Sequence, residues 1–400
     1  MRILVVCTRS PFPLIEGRAL RTYNLLRETA RAHSVFLCTY VQSAAEEQGI
    51  AHLRSFCTDV QAIPLYMHDK TRAVARDVMR DLFQPAPAMV LKYDTAAMRR
   101  VVIEALDKFK PDVVHLDMLH LGSLIKEVHG LPVVMVEHNV EAELLKRRVA
   151  NESNWLRRAY LARQARKLES FETRTCRAAK EIVAVSDVDA DHIRTLAPNT
   201  PVTVVPNGVD TEFFTPTNGA AHASSMVYVG GLSWFPNFDA IDFFTKEILH
   251  RVTRVKPDAN LTVIGQVPSQ RMLEPWQNEP RVRFTGLVDD IRPIVAAAGI
   301  YIVPLRIGGG TRLKILDAMA MGKAVVTTSI GCEGLQVTPG KDVLIADGAE
   351  AFSDAVIRVM SDSKLAAQLG ANGRVCVEQN YRWVAIAKRM ETVYARAVNA

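Results

Sequence analysis

The sequence predicts an α/β protein made of two doubly wound domains. Strand-like runs rich in Val and Ile recur between helix-like stretches in both halves of the chain. The runs are nearly continuous in apolar residues, as strands covered by helices on both faces must be. The length of 400 residues also exceeds one comfortable core.

In chain order, the first half offers strands at 3–6 (ILVV), 35–40 (VFLCTY), 113–116 (VVHL), 133–137 (VVMVE), 181–186 (EIVAVS) and 202–207 (VTVVPN). The second half offers 226–231 (MVYVGG), 261–265 (LTVIG), 282–286 (VRFTG), 300–304 (IYIVP), 324–328 (AVVTT) and 343–347 (VLIAD). Six strands on each side predict two parallel sheets, with ligands bound at the carboxyl ends of the strands. The stretch 206–225, rich in Gly, Pro, Asn and Ser, marks the break. The expected domains are therefore 1–205 and 206–380, followed by an amphipathic helix over 381–400.

The composition, 48% hydrophobic and 23% charged, is that of a folded globular chain. No apolar run reaches the roughly 18–20 residues of a membrane span. The opening MRILVVCTRSPFPL reads as a buried first strand rather than a signal-peptide core. Six scattered cysteines with no C-x-x-C pair predict a reduced, cytoplasmic protein without structural zinc.

The net charge of +6 is mild, but its distribution is uneven. Residues 146–180 carry eleven Lys or Arg against three Glu. Helical spacing there puts Leu156, Tyr160, Leu161, Leu168 and Phe171 mostly on one stripe. The plain interpretation is a solvated helix face. The sharper one is a patch for an anionic surface, either bilayer headgroups or a lipid-phosphate substrate. Nucleic acid ranks below both and is not expected as a partner, because aromatics are not interleaved with the basic residues and no groove-reading motif appears.

The most informative stretch is PLRIGGGTRLKILDAMAMGKAVV, 304–326. A strand feeds Gly308, Gly309 and Gly310, whose freedom of backbone angle can turn successive N–H groups into an anion-binding concavity. Thr311 is placed to cap the following helix, whose N-terminus adds partial positive charge. Arg312 offers a bidentate fork for phosphate oxygens and Lys314 a point charge. Lys314 and Asp317, three apart, share a helix face. A nucleoside diphosphate satisfies both: Lys314 meets phosphate while Asp317 accepts from the ribose hydroxyls. The blander alternative is a Lys314–Asp317 surface ion pair beside a turn. Neither a Walker loop nor a G-x-G-x-x-G fingerprint is present, which disfavours nucleoside triphosphate hydrolysis.

With these motifs the chain resembles the retaining glycosyltransferases of family 4 (group 1), which have the two-domain GT-B fold and include bacterial polysaccharide and lipid-linked sugar transferases. VVPNGVDTEFF (204–214) resembles the family's domain junction, GGGTRLKILDAMAMGKAVVTT its donor segment, and EHNVE (137–141) the place of a first-domain His. The resemblance implies two Rossmann-like domains, with the C-terminal helix returning to the first. It implies a role near the donor sugar for His138, and donor contacts from Gly17, Gly309, Gly310, Thr311, Arg312, Lys314 and Asp317. Leu287 and Val288, in FTGLVDD, are implied to meet the nucleobase edge.

The chain also departs from the family pattern. Gly309 stands where the first of two glutamates is usual, and Asp317 where the second is. GGLSWFPN (230–237) lacks the Arg and Lys that often follow the first second-domain strand, so Arg312 and Lys314 are expected to supply that charge. The first-domain glycine loop keeps Gly17 and places Glu16 beside it.

His138 follows a strand end, and either Glu137 or Glu141 is placed to orient its ring. SDVDADH (186–192) alternates Asp187, Asp189 and Asp191, but it fails as an EF-hand, with His192 and Pro198 at the positions needing Gly and Glu. Ser186 and Asp187 read better as helix caps, and no metal is expected. The expectation is a metal-independent hexosyltransferase with no permanently bound cofactor. It would take a UDP- or GDP-sugar as donor and a glycan or lipid-linked acceptor, in the cytoplasm or at the inner face of the membrane. A non-catalytic scaffold and a sugar-nucleotide epimerase of the same fold are the alternatives.

Overall fold

The structure, a computed structural model, describes residues 1–14, 17–65, 81, 84–128, 130–150, 152–217, 219, 221–308 and 313–399. Its internal contacts divide the chain into two units, Met1–Pro206 with Trp383–Ala400, and Asn207–Arg382.

The first unit is built on a seven-stranded sheet of β1 (Arg2–Cys7), β2 (Ser34–Val41), β3 (Asp59–Pro64), β4 (Val113–Asp117), β5 (Val133–Glu137), β6 (Glu181–Ala184) and β7 (Val202–Val204). The spatial order is β3-β2-β1-β4-β5-β6-β7, with every neighbouring pair parallel. Because side chains alternate across a strand, β1 feeds two cores. Ile3 and Val5 pack with Trp383, Ile386, Met390 and Val393 of the helix Trp383–Asn399. Leu4 and Val6 pack with Met98, Val102 and Ala105 of the helix Ala96–Phe109. Each such side chain contributes about 1.5–3 kcal/mol when fully buried. The apolar stripe of the last helix therefore covers a face of the first sheet, which returns the chain end to this unit. Arg21, buried in the helix Gly17–Ala30, donates to the carbonyls of Val205 (2.7 Å) and Pro206 (2.8 Å), fixing the unit's last residues before the crossing.

β3 was not expected. It is an edge strand in which only Val60 and Ile63 are buried and Asp59, Gln61 and Pro64 interrupt the apolar run, so the pattern of a two-face-buried strand is missing.

The second unit holds β8 (His222–Val229), β9 (Asn260–Ile264), β10 (Val282–Gly286), β11 (Ala298–Val303), β12 (Ala324–Thr327) and β13 (Leu344–Ile345). Their order is β10-β9-β8-β11-β12-β13, again all parallel. β8 starts and ends earlier than the sequence suggested, because Gly230 and Gly231 already belong to the turn that follows. In each sheet the winding direction reverses once, between β1 and β4 and between β8 and β11. Ligand crevices are expected at the carboxyl ends of those pairs.

Candidate functional site

In the first unit the crevice lies between the ends of β1 and β4, lined among others by Thr8, Arg9, Ser10, Arg18, Thr22 and Asp117. Arg9 Nε donates to Glu46 at 2.6 Å, and Arg18 reaches Thr8 Oγ1 (3.5 Å) and the Met118 sulfur (3.4 Å). Met118, straight after β4, is held at φ 110°, a strained value for a side chain of this size. That turn leaves Asp117 at the mouth of the crevice.

His138, one residue beyond β5, folds its ring back toward β4, with Nε2 2.7 Å from Asp117 Oδ1. Neither flanking glutamate orients the ring: the partner is Asp117, which the sequence reading overlooked. Thr22 Oγ1 donates to Asp117 Oδ2 at 2.7 Å, and His115 Nε2 lies 3.6 Å from Oδ1. Burial alone would raise the Asp117 pKa, but His138 and His115 outweigh it and hold the carboxyl well below its ordinary range. On the far side, His115 Nδ1 meets the Tyr394 hydroxyl at 2.6 Å. His120 is pushed down to about 4 by burial and then by Arg18, Lys92 and His138, so it is neutral.

Glu137 and Glu141 join Glu172 in a separate acidic cluster behind this crevice. Among the described residues, both Glu137 oxygens are buried with no hydrogen-bond partner, as is Glu172 Oε2. Glu172 Oε1 accepts from the Glu141 backbone N–H at 2.9 Å. Burial, then Glu172, Glu141 and Asp189, raise Glu137 well above the usual carboxyl range. Burial raises Glu172 to about 8 and Glu141 to about 7. Ser186 caps its helix by accepting from Asp189 N–H (3.1 Å), while Asp191 pairs with Arg194. Those aspartates are therefore used in local structure.

In the second unit Gly309, Gly310, Thr311 and Arg312 lie outside the described residues, as does Glu16 in the first. Gly17 is the exposed first residue of its helix. Lys314, in the helix Leu313–Ala320, extends to the end of β8. Its ammonium donates to Tyr228 Oη and to Asn237 Oδ1, both at 2.9 Å, and lies 4.2 Å from the Tyr228 ring centroid. Asn237 sits in the first turn of the helix Phe235–Phe243, where its amide also donates to the Gly231 carbonyl at 2.8 Å. This packing requires Gly230: a Cβ there would stand 2.7 Å from both Lys314 Nζ and Asn237 Nδ2. Gly265, at φ 148°, lets β9 approach just as closely, since its Cβ would meet the Gly230 carbonyl carbon at 2.5 Å. The cation thus stands at the β8 turn, where GGLSWFPN carries none of its own.

Asp317, one turn along the same helix, is half-buried, and burial pushes its carboxyl up to about 7. Among the described residues its carboxylate makes no hydrogen bond, which leaves its acceptor capacity for a ligand. Leu287, just past β10, is 78% exposed, whereas Val288 packs against the core. Tyr228, Asn237, Asp117, His115 and Tyr394 all escaped the sequence reading. Of these, only Asn237 carried a signal, standing directly after the helix-starting Pro236.

The basic segment forms the helices Glu141–Ala150 and Trp155–Ala178. Lys146 bridges Glu143 and Glu169 at 2.8 Å each, and Lys167 donates to the carbonyls of Asp81 and Gln84. Leu168 is buried, but Leu156 is not covered: it is 61% exposed and the adjacent Trp155 70%. Arg157, Arg158 and Arg163 are exposed beside them. Among the described residues no helix is long and apolar enough to cross a membrane.

Comparison with known proteins bears on both units. The family model for Glycosyltransferase Family 4 matches residues 15–213, and that for Glycosyl transferases group 1 matches 223–362. The lipopolysaccharide core biosynthesis mannosyltransferase LpsB of Rhizobium meliloti is 25% identical over 314 residues, spanning 72% of this chain and 86% of its own. Other curated relatives are matched over about half their length, 43% and 55%. Among solved structures, the sucrose-phosphate synthase of Thermosynechococcus elongatus superposes over 99% of both chains at 18% identity, with a TM-score of 0.73. HepE of Anabaena in complex with UDP does so over 99% of this chain and 100% of its own, at 14% identity and a TM-score of 0.70. These structures share the fold, and the two family models extend over both units. The chain belongs to the family 4, group 1 glycosyltransferases and has the GT-B fold.

Proposed function

We propose that the protein is a retaining glycosyltransferase that moves a sugar from a nucleoside-diphosphate donor to a hydroxyl of a glycan or lipid-linked acceptor, in polysaccharide or glycolipid assembly. The observation that carries this is the placement of Lys314 and Asp317. A cation stands at the end of β8, beside the winding reversal, and a carboxylate poised near neutrality stands one turn away. A diphosphate develops negative charge as the glycosidic bond breaks, and a fixed ammonium beside a helix N-terminus stabilises that charge without reorganising. Arg312, Thr311, Gly309 and Gly310 are assigned to the same diphosphate cradle. Asp317 is assigned to the ribose hydroxyls, Leu287 and Val288 to the base edge, and Gly17 and His138 to the donor-sugar end. That HepE was crystallised with UDP supports a nucleotide donor.

Retention follows the family resemblance, as does a reaction without a protein-held metal. The first is checked by the anomeric configuration of the product, the second by turnover in excess chelator. An anionic membrane surface is proposed as a partner of the segment 146–180, through Trp155, Leu156 and the adjoining arginines.

The test is a panel of UDP-, GDP- and ADP-sugars, with nucleoside diphosphate release measured for the wild type and for Asp317→Ala. Slow release from one donor, lost in the variant, is expected. No binding of any donor would refute the nucleotide site. A non-catalytic scaffold is favoured by one feature, Gly309 in place of a glutamate, and it predicts donor binding with no turnover even when acceptor glycans are supplied.

A further inference from the structure

The first-unit crevice contains a chain of side chains drawn from three elements: Tyr394 on the C-terminal helix, His115 and Asp117 on β4, and His138 after β5. We propose that Asp117 is the positioning residue that fixes the tautomer and orientation of His138, and that Tyr394 secures Asp117 through His115. The proposal rests on the sugar-transfer reading only for its activity arm.

Proton placement follows from the partners. Asp117 is buried yet ionised, so it can only accept. The His138 nitrogen 2.7 Å away must then be Nε2–H. In the neutral ring Nδ1 then carries the lone pair, and it makes no hydrogen bond among the described residues. A neutral His138 therefore presents an acceptor, fit to receive a sugar hydroxyl, rather than a donor.

Tyr394, 2% exposed, keeps its proton because burial and the nearby Asp117 raise its pKa. With the Tyr394 O–H donating to His115 Nδ1, the neutral His115 ring carries its proton on Nε2, which sets a positive rather than a negative end against Asp117 at 3.6 Å. Among the described residues that Nε2–H has no hydrogen-bond partner of its own. Its positive end instead contributes to the field around the carboxylate. Thr22 Oγ1 holds the other carboxylate oxygen, and Arg21 and Cys7 also face it from the first helix and β1.

Removing the Tyr394 hydroxyl frees His115 to take the opposite tautomer, which turns a lone pair toward Asp117. The carboxylate is then repelled, and the hold on His138 loosens. Dependence of a metal-free imidazole on a carboxylate partner and that partner's own neighbour follows the logic by which outer hydrogen bonds fix ring tautomers generally. Here it makes Tyr394 of the last helix, 279 residues from His115 in sequence, a contributor to the first-unit crevice.

The test uses the full chain labelled with nitrogen-15 at histidine, the His138 resonances being assigned by their loss in His138→Gln. Long-range nitrogen–proton NMR of the wild type is expected to show one form, protonated at Nε2 and unprotonated at Nδ1. Tyr394→Phe is expected to shift or average those signals while thermal unfolding stays cooperative. Asp117→Asn is expected to do so more strongly. In the donor-turnover assay, Tyr394→Phe should lower kcat about tenfold, leave KM for the nucleotide sugar within about twofold, and displace the pH profile. A purely structural role would lower thermal stability without moving the His138 signals or the pH profile.

A wild-type ring protonated at Nδ1 overturns the proposal, and so does a His138 spectrum unchanged in Tyr394→Phe. If Asp117→Asn does not fold, Tyr394→Phe decides alone. If no donor is ever turned over, the sugar-transfer reading falls while the NMR result still decides the positioning role.

Discussion

Replacing Glu172 by Gln is expected to make the protein more stable at alkaline pH and to leave it almost unchanged at acid pH. Glu172 is fully buried in the helix Trp155–Ala178, with one oxygen accepting from the Glu141 backbone and the other unpartnered. Its pKa is raised from 4.5 to about 8, mainly by burial. A carboxyl raised in this way keeps its proton in the folded state over a range where the unfolded chain has already lost it. Folded protein then binds more protons than unfolded, and stability falls as pH rises from about 4.5 to about 8.

A shift of this size corresponds to about 5 kcal/mol in total, of which about 2 kcal/mol falls between pH 6 and pH 8. Glutamine keeps the oxygen that accepts from Glu141 and has no charge to desolvate. Urea unfolding at about pH 6, 7, 8 and 9 measures the effect, with circular dichroism and tryptophan fluorescence as probes. At a denaturant slope near 2 kcal/mol per molar, the wild-type midpoint should fall by about 1 M more than that of the variant between pH 6 and pH 8. Parallel curves, with a midpoint difference independent of pH, would show that Glu172 is not held protonated and would remove the physical basis assigned to the cluster.

Gly230→Ala should displace the Lys314 ammonium, because the added Cβ stands 2.7 Å from it, so donor affinity should drop about tenfold or more while the fold survives. Isothermal titration with the preferred nucleotide measures this, and unchanged affinity would separate Lys314 from the diphosphate. Nucleotide affinity should rise with pH through about 7, since Asp317 must ionise to accept from the ribose. The gain should approach tenfold per unit below that value and vanish in Asp317→Asn, and a flat profile in the wild type would remove the ribose role. Trp155→Ser with Leu156→Ser should abolish sedimentation with vesicles rich in phosphatidylglycerol without altering thermal stability, because both side chains are mostly exposed. Equal sedimentation of wild type and variant would exclude this helix end as the anchor.

The two parallel sheets were legible in the sequence because their strands are covered on both faces, and continuous Val and Ile runs admit few other interpretations. β3 was not, since an edge strand needs only one apolar side. The Trp155–Ala178 helix shows a subtler failure. Its apolar spacing is regular, yet periodicity assigns a residue to a stripe without saying whether the protein body extends far enough to cover it. Leu168 is covered and Leu156, twelve residues earlier, is not.

The site divides along the same physical line. The donor segment was found because its chemistry is local: glycines, a cation and a carboxylate fall within ten residues. What holds Lys314 in place is remote, since Tyr228 and Asn237 are 86 and 77 residues away and reach it only because β8 and β11 are neighbours. Around His138 local chemistry misled, because Glu137 and Glu141 flank it in sequence, whereas strand alternation turns Glu137 to the opposite side of the sheet. The carboxylate that holds the ring comes from β4, the next strand over. A neighbouring strand can supply a partner at hydrogen-bond distance with the ionised form favoured, whereas burial, above all, raises the sequence-adjacent glutamates toward their protonated form. Strand order, which becomes visible only in the fold, decides which of three carboxylates can carry charge beside the imidazole.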